Sequence, residues 1–328
     1  MKRIFLYFFL LIFFYSCKKD VPSTPSVRIP LPAGTTMRDI SIPKKNHWVV
    51  CGKHQDKGIV LVSKDGGATW STTYFLNEIN TIQMQDSLIG VAGDADILLF
   101  TTKDGGLNWE QFYPDVFPLS VNRILRSSCY ANATTGFVCG GKNFENGVLY
   151  RTDDGGENWN FTEYNHELRS IAFADELNGV MVGYGVVYRT SDSGLNWNLT
   201  PNTGLFYTGI AYNINSGYWA SAFDGSILYS SNNGLNWTIK KKGSTWDSSN
   251  RALNCIAVSS SGTIAAAGPN GYITWSDNSG SSWTERLCCE HNDILSLEWI
   301  NEQQLLATAK NGEISTLITV PKFFFSKN

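Results

Sequence analysis

Thr152-Asp-Asp-Gly-Gly-Glu-Asn-Trp159 is one of six copies of a single eight-residue phrase. The others are Ser63-Lys-Asp-Gly-Gly-Ala-Thr-Trp70, Thr102-Lys-Asp-Gly-Gly-Leu-Asn-Trp109, Thr190-Ser-Asp-Ser-Gly-Leu-Asn-Trp197, Ser230-Ser-Asn-Asn-Gly-Leu-Asn-Trp237 and Ser276-Asp-Asn-Ser-Gly-Ser-Ser-Trp283. Each has Ser or Thr first, Asp or Asn third, Gly fifth and Trp eighth. Asp or Asn can accept backbone N–H bonds from its own loop. Gly permits positive φ where the chain reverses, and Trp buries a large ring as the next strand starts. The phrase is therefore a hairpin turn. Its Trp residues follow one another at 39, 50, 38, 40 and 46 residues. A period near 40 built of short strands marks a propeller blade of four strands.

The sequence around each turn supplies the other strands. The fourth repeat reads Leu168-Arg-Ser-Ile-Ala-Phe173, a turn at 175–179, Val180-Met-Val-Gly-Tyr184, then Val186-Val-Tyr-Arg-Thr190 and its turn. Aligning the rest on it places Ile40, Ile82, Ile124, Ile171, Ile210 and Ile256 at one first-strand position. After the sixth turn come three strand-like runs, 294–299, 304–308 and 313–318, without a fourth. Val27-Arg-Ile-Pro-Leu31, at the other end, can supply it and close the ring, which removes two open edges. The expectation is an all-β, seven-bladed β-propeller of four-stranded antiparallel blades over residues 27–320, with a tail at 321–328. Six blades plus a C-terminal appendage is the rival.

The composition agrees. With 42% hydrophobic and 17% charged residues, 30 Gly and 11 Trp, the chain is neither disordered nor a helical repeat. Its net charge of −3 lacks the basic footprint of a nucleic-acid binder. Met1-Lys-Arg3 followed by the apolar run from Ile4 to Tyr15 has the form of a secretory signal, too short to span a bilayer. Ser16-Cys17 at its end resembles the bacterial lipoprotein box. That resemblance implies a signal peptide over 1–16, a lipid on Cys17 and a tether over 17–26, so that the chain is held to the outer membrane from its periplasmic or its surface side. "Cys-Lys-Lys-Asp" resembles lipoproteins of the Bacteroidetes type. The six later Cys lack zinc spacing, and Cys129 and Cys139 flank a hairpin-like turn, across which they could pair. No metal or cofactor is expected.

The repeated phrase matches the Asp-box, or BNR, repeat of sialidases, sortilin-like receptors and photosystem II assembly factors. The whole repeat is most similar to the assembly-factor type. The resemblance implies that the boxes join the third and fourth strands of a blade and are structural. In this chain they are Asp65, Gly67 and Trp70; Asp104, Gly106 and Trp109; Asp154, Gly156 and Trp159; Asp192, Gly194 and Trp197; Asn232, Gly234 and Trp237; and Asn278, Gly280 and Trp283. Two of the six are Asn and all fall on separate blades, which argues against a catalytic or calcium role.

Blade topology sends the loops between second and third strands, and those between blades, to the face around the channel mouth. That face collects His54, His166, His291, Phe144, Tyr184, Phe206, Tyr207, Phe223, Trp246 and Arg251. The residue two before the shared Ile is Arg38, Asn80, Asn122, Arg169, Thr208 or Asn254, with Arg123 one later, and these ring the channel entrance. Arg and Asn there suit carboxylate or polar-backbone recognition. Arg38, Asn80, Arg123, Arg169, Phe206, Tyr207, Trp246, Arg251, His54, His166 and His291 are the candidate partner-binding residues. The expected function is non-catalytic: a monomeric envelope propeller that binds a protein partner or acts in assembly. The alternatives are a glycan-binding propeller and a sialidase-like glycosidase. The second is suggested by Arg28-Ile-Pro30, though no segment assembles its nucleophile and acid.

Overall fold

A computed structural model describes residues 26–29, 31, 34–113, 123–201, 204–243 and 251–318. The leader, Cys17, the tether up to residue 25, Asn122, Trp246, the last two residues of the expected propeller (319–320) and the tail at 321–328 lie outside the described residues. Among the described residues no helix is long and apolar enough to cross a membrane.

Seven four-stranded antiparallel sheets make the ring, each ordered from an inner to an outer strand. The inner strands are Thr35–Lys44, Ile79–Met84, Ile124–Tyr130, Leu168–Phe173, Tyr207–Asn213, Cys255–Val258 and Ile294–Asn301. The seventh sheet uses both ends of the chain. Ser26–Ile29 is its outer strand, in register Ser26↔Leu317, Val27↔Thr316, Arg28↔Ser315 and Ile29↔Ile314. The closure expected from the unpaired first segment is present, and the six-bladed alternative is excluded.

The core lies between blades rather than within one. Val49, Cys51, Val60 and Val62 of the first blade pack on Ile79, Ile82, Ala92 and Phe100 of the second. Second strands such as Gly136–Lys142 and Gly179–Gly183 are buried nearly throughout, because a neighbouring blade covers each face. Hydrogen bonds lace neighbouring inner strands together. Asp39 accepts from the Ile82 N–H at 3.0 Å and the Thr81 hydroxyl at 3.1 Å, and the Ser170 hydroxyl accepts from the Ile210 N–H at 3.1 Å.

The boxes are structural turns. In the second blade Asp104 Oδ1 accepts the N–H groups of Leu107 at 3.0 Å and Asn108 at 2.9 Å. The Thr102 hydroxyl donates to Asp104 at 3.0 Å and accepts the Gly106 N–H at 3.0 Å. Trp109 Nε1 donates to the Gly106 carbonyl at 2.9 Å. In the first blade the Thr69 hydroxyl, the Thr69 N–H and the Ser63 hydroxyl hold the Asp65 carboxyl down at about 2. The glycine has a second reason besides the turn. Gly194 has φ +72, and a Cβ there would lie 2.5 Å from the Phe137 ring of the preceding blade. The box is thus also a blade-to-blade contact.

The sequence left open whether Cys129 and Cys139 pair; in the structure both are free. The hairpin sets Cys129 opposite Phe137 and Cys139 opposite Ser127, so the two Cys are not facing partners.

Candidate functional site: the channel mouth

Most inner strands carry a β-bulge close to the channel entrance. The register skips one residue in each of six: Arg38, Asn80, Arg126, Arg169, Thr208 and Leu295. A bulge leaves a residue unpaired and re-aims its side chain. These six residues and Asn254 line a central cavity of about 410 Å³. Arg38, Asn80, Arg169, Thr208 and Asn254 are therefore ring residues, as expected.

The third blade departs from the expectation. Its pairing of Ser128 with Val138 corresponds to that of Ile171 with Met181 in the fourth blade. Ser128, and not Ile124, occupies the position that Ile or Leu holds elsewhere, and its hydroxyl contacts the Thr81 hydroxyl at 2.8 Å. The ring residue is consequently Arg126, which the apolar alignment missed. Arg123 is only 4% exposed and pairs with Glu163 at 2.7 Å, so it cannot meet a partner. Tyr207 is fully buried, packed among Val180, Val182 and Tyr218, and is likewise core.

Glu167 organises one side of the mouth. Its carboxylate is buried and lies 2.9 Å from Arg126 Nε and 3.0 Å from Arg169 Nε. Neither N–H aims well at the oxygen, so charge rather than aligned hydrogen bonding holds the three groups together. The other carboxylate oxygen accepts the Phe144 N–H at 2.8 Å. Backbone bonds run from the Glu167 N–H to the Phe144 carbonyl at 3.1 Å and from the Tyr184 N–H to the Glu167 carbonyl at 3.1 Å. Glu167 thereby ties loops of the third and fourth blades to the ring. Phe144 is held at φ +69 and its neighbour Asn143 at +58. L-residues avoid this region, and it persists only where the surroundings impose it.

These bonds display an aromatic patch. Phe144 and Tyr184 lie 4.5 Å apart between ring centroids, Tyr184 and Phe206 4.9 Å, and Phe206 and Phe223 5.8 Å. The Arg169 guanidinium sits over the Phe206 ring at 4.9 Å. Phe144, Tyr184 and Phe223 are each more than two-fifths exposed. Burial, then repulsion from Arg126, bring Arg169 down to about 10, and the Glu167 carboxylate works against both. Arg169 is a cation at neutral pH.

The remaining candidates are dispersed. His54 contacts the Thr35 hydroxyl at 2.9 Å, and His166 contacts the Tyr188 hydroxyl at 2.9 Å. His291 is exposed between the sixth and seventh blades. Arg251 pairs with Glu285 at 3.3 Å. The three His occupy three separate loops and form no common centre. Within the channel, burial followed by the charge of Asp39 raises Glu298 to about 8. Arg28 lies on the outermost strand of its blade. Arg38 is already paired with Glu78 at 2.7 Å, and Arg126 and Arg169 with Glu167. A three-Arg clamp on a substrate carboxylate would need these guanidinium groups free.

Residues 20–165 match the family model described as photosynthesis system II assembly factor YCF48, in line with the resemblance read from the repeats. No curated protein matches the chain. Solved structures similar to it include one described as YCF48 bound to D1 peptide, at TM-score 0.68 and 19% identity, covering 92% of this chain and all of the other. YCF48 from Cyanidioschyzon merolae matches at TM-score 0.66 and 17% identity, over 89% of this chain and 98% of the other. The WD40 propeller domain of Doa1 matches at TM-score 0.67 and 10% identity, over 94% and 100%. At these identities the likeness is one of fold.

Proposed function

We propose that this chain is a non-catalytic propeller that binds a protein partner through the channel-mouth face and is held at the bacterial envelope by a lipid on Cys17. The observation that carries the binding role is the patch of Phe144, Tyr184, Phe206 and Phe223 beside Arg169. A rigid ring leaves activity to loops grafted on one face. Aromatic and Arg side chains are the residue types that dominate protein-binding hot spots. Here they are preset: Phe144 is strained into place by Glu167, so little ordering remains to be done on binding. The similar structure described as YCF48 bound to D1 peptide supports a protein ligand for a propeller of this kind. The anchor rests on Lys2-Arg3, the apolar run to Tyr15 and Ser16-Cys17.

The test is site-specific photocrosslinking in the producing cell. A benzophenone amino acid replaces Phe223 on the mouth face or Leu195, an exposed residue of the fourth box, on the opposite face. Discrete protein adducts from position 223 and none from position 195 are expected. Adducts of equal yield at both positions, or none at 223, overturn the reading. Labelled palmitate incorporated by the wild-type chain and lost in Cys17→Ser is the expected sign of the anchor, and its absence from wild type removes that part.

A further inference from the structure

We propose that Cys288 and Cys289 form a two-electron redox site, which a small-molecule disulfide closes into a ring spanning one peptide bond, and that this ring pins the turn that follows on the channel-mouth face. Neighbouring residues in an extended chain send their side chains to opposite faces. These two do not. Cys288 is extended, at φ −144 and ψ −170, but Cys289 turns to φ +56 and brings its side chain back. The two sulfurs lie 2.9 Å apart. That is closer than the ~3.5–4.0 Å at which non-bonded carbons pack. It is still longer than the ~2.05 Å of a disulfide bond.

The backbone holds this arrangement. Cys289, Glu290 and His291 are three successive non-glycine residues at positive φ, +56, +48 and +61. The Cys288 N–H donates to the Gly271 carbonyl at 2.9 Å, the His291 N–H to the Cys288 carbonyl at 3.0 Å, and the Asn292 N–H to the Cys289 carbonyl at 2.9 Å. Gly271 makes the approach feasible, since a Cβ there would lie 2.0 Å from the Cys288 carbonyl oxygen. Three left-handed residues in a row are costly for L-amino acids and persist where the surroundings over-determine them. A bond between the sulfurs adds one more such constraint at the start of the run.

In the reaction, one Cys thiolate attacks the oxidant's S–S bond and releases one thiolate. The other Cys, deprotonated, attacks the resulting mixed disulfide, displaces the second thiolate and forms the protein S–S bond. Both released thiolates take up the protons lost by the protein. Two protein thiols and one disulfide become one ring and two small thiols. The neighbouring sulfur, then burial, then the negative charge of Glu313 raise the Cys288 thiol in the folded chain, which leaves little thiolate. Exchange therefore runs while the chain is still open. The closed loop is the shortest there is, so its entropic effect on global stability is small and its effect on the turn is local.

The full chain is refolded in a glutathione and glutathione disulfide buffer, quenched in acid, alkylated in denaturant and mapped by peptide mass. The peptide holding Cys288 and Cys289 is expected to be two hydrogens lighter, with roughly tenfold less alkylation than the peptides of Cys51, Cys129, Cys139 and Cys255. Reduction restores its labelling. In Cys288→Ser, Cys289 is expected to label like the others. Full labelling of both in the wild-type chain, a glutathione adduct, or a link to another Cys overturns the site. Amide exchange at residues 289–292 is expected to slow on oxidation, and equal rates in the two redox states overturn the pinning.

Discussion

Replacing Glu167 tests the organisation of the mouth directly. Its carboxylate is buried against two guanidinium groups and one backbone N–H. Removing one partner from a fully buried charged group costs about 3–5 kcal/mol, because the remaining charge is left uncompensated. Arg126 and Arg169 keep 23% and 25% of their side-chain exposure, so water screens part of their mutual repulsion. Losing the carboxylate also removes its own desolvation cost. Glu167→Gln keeps an acceptor for the Phe144 N–H, and its expected cost is about 2 kcal/mol. Glu167→Ala also orphans that N–H, a charge-assisted bond, so about 3–4 kcal/mol is expected. Urea unfolding followed by tryptophan fluorescence reads the difference. A double-mutant cycle with Arg169→Met separates charge from packing, and coupling of about 1 kcal/mol or more is expected between the two sites. A Glu167→Gln protein within about 0.5 kcal/mol of wild type, or strictly additive variants, would refute the claim that charge holds this corner together.

Deleting residues 18–33 removes the outer strand of the seventh blade and opens the ring, so a markedly lower melting temperature is expected; an unchanged one would contradict the closure. Asp104→Ala strips acceptors from two N–H groups, and a loss of about 1–2 kcal/mol in urea unfolding is expected without change in partner binding. Glu298 has a folded-state carboxyl raised to about 8. The folded chain then holds a proton that the unfolded chain gives up in the ordinary carboxylate range. Stability should fall as pH rises from that range to about 8, and Glu298→Gln should flatten this slope; a wild-type profile with no such fall contradicts the assignment. The Asp65 carboxyl, held down at about 2, contributes in the other direction. Its stabilisation is present above the ordinary carboxylate range and fades as pH drops toward 2, and Asp65→Asn should lose that acid-side dependence.

The blade architecture was legible because each box carries its own cause. The Ser or Thr hydroxyl, the Asp or Asn side chain, the Gly and the Trp interact within eight residues, so the pattern survives in the linear chain. Closure was legible too, as an unpaired strand at each end. The ring of side chains at the mouth was legible in the five blades whose first strands share an apolar marker. It failed in the third, where the buried polar contact between Ser128 and Thr81 replaces the Ile and the marker slipped to Ile124. Among the aromatics, Phe206 and Tyr207 are adjacent in sequence, yet the first joins the exposed patch and the second is wholly buried. Successive residues face opposite ways on a strand, and only the register says which way each points.

By itself, then, the sequence determined the blade repeat, the turn made by each box and the face to which the variable loops go, since all three follow from interactions between near neighbours or from the order of strands. The tertiary structure decided that seven blades close the ring and which residues meet at its mouth. Arg126, Glu167 and Arg169 meet because bulges on two inner strands and a loop between their blades converge at the channel, and Phe144, Tyr184, Phe206 and Phe223 meet across three blades. Those contacts depend on how whole sheets stack around the ring, and no local periodicity in the chain encodes which residues of separate blades will touch.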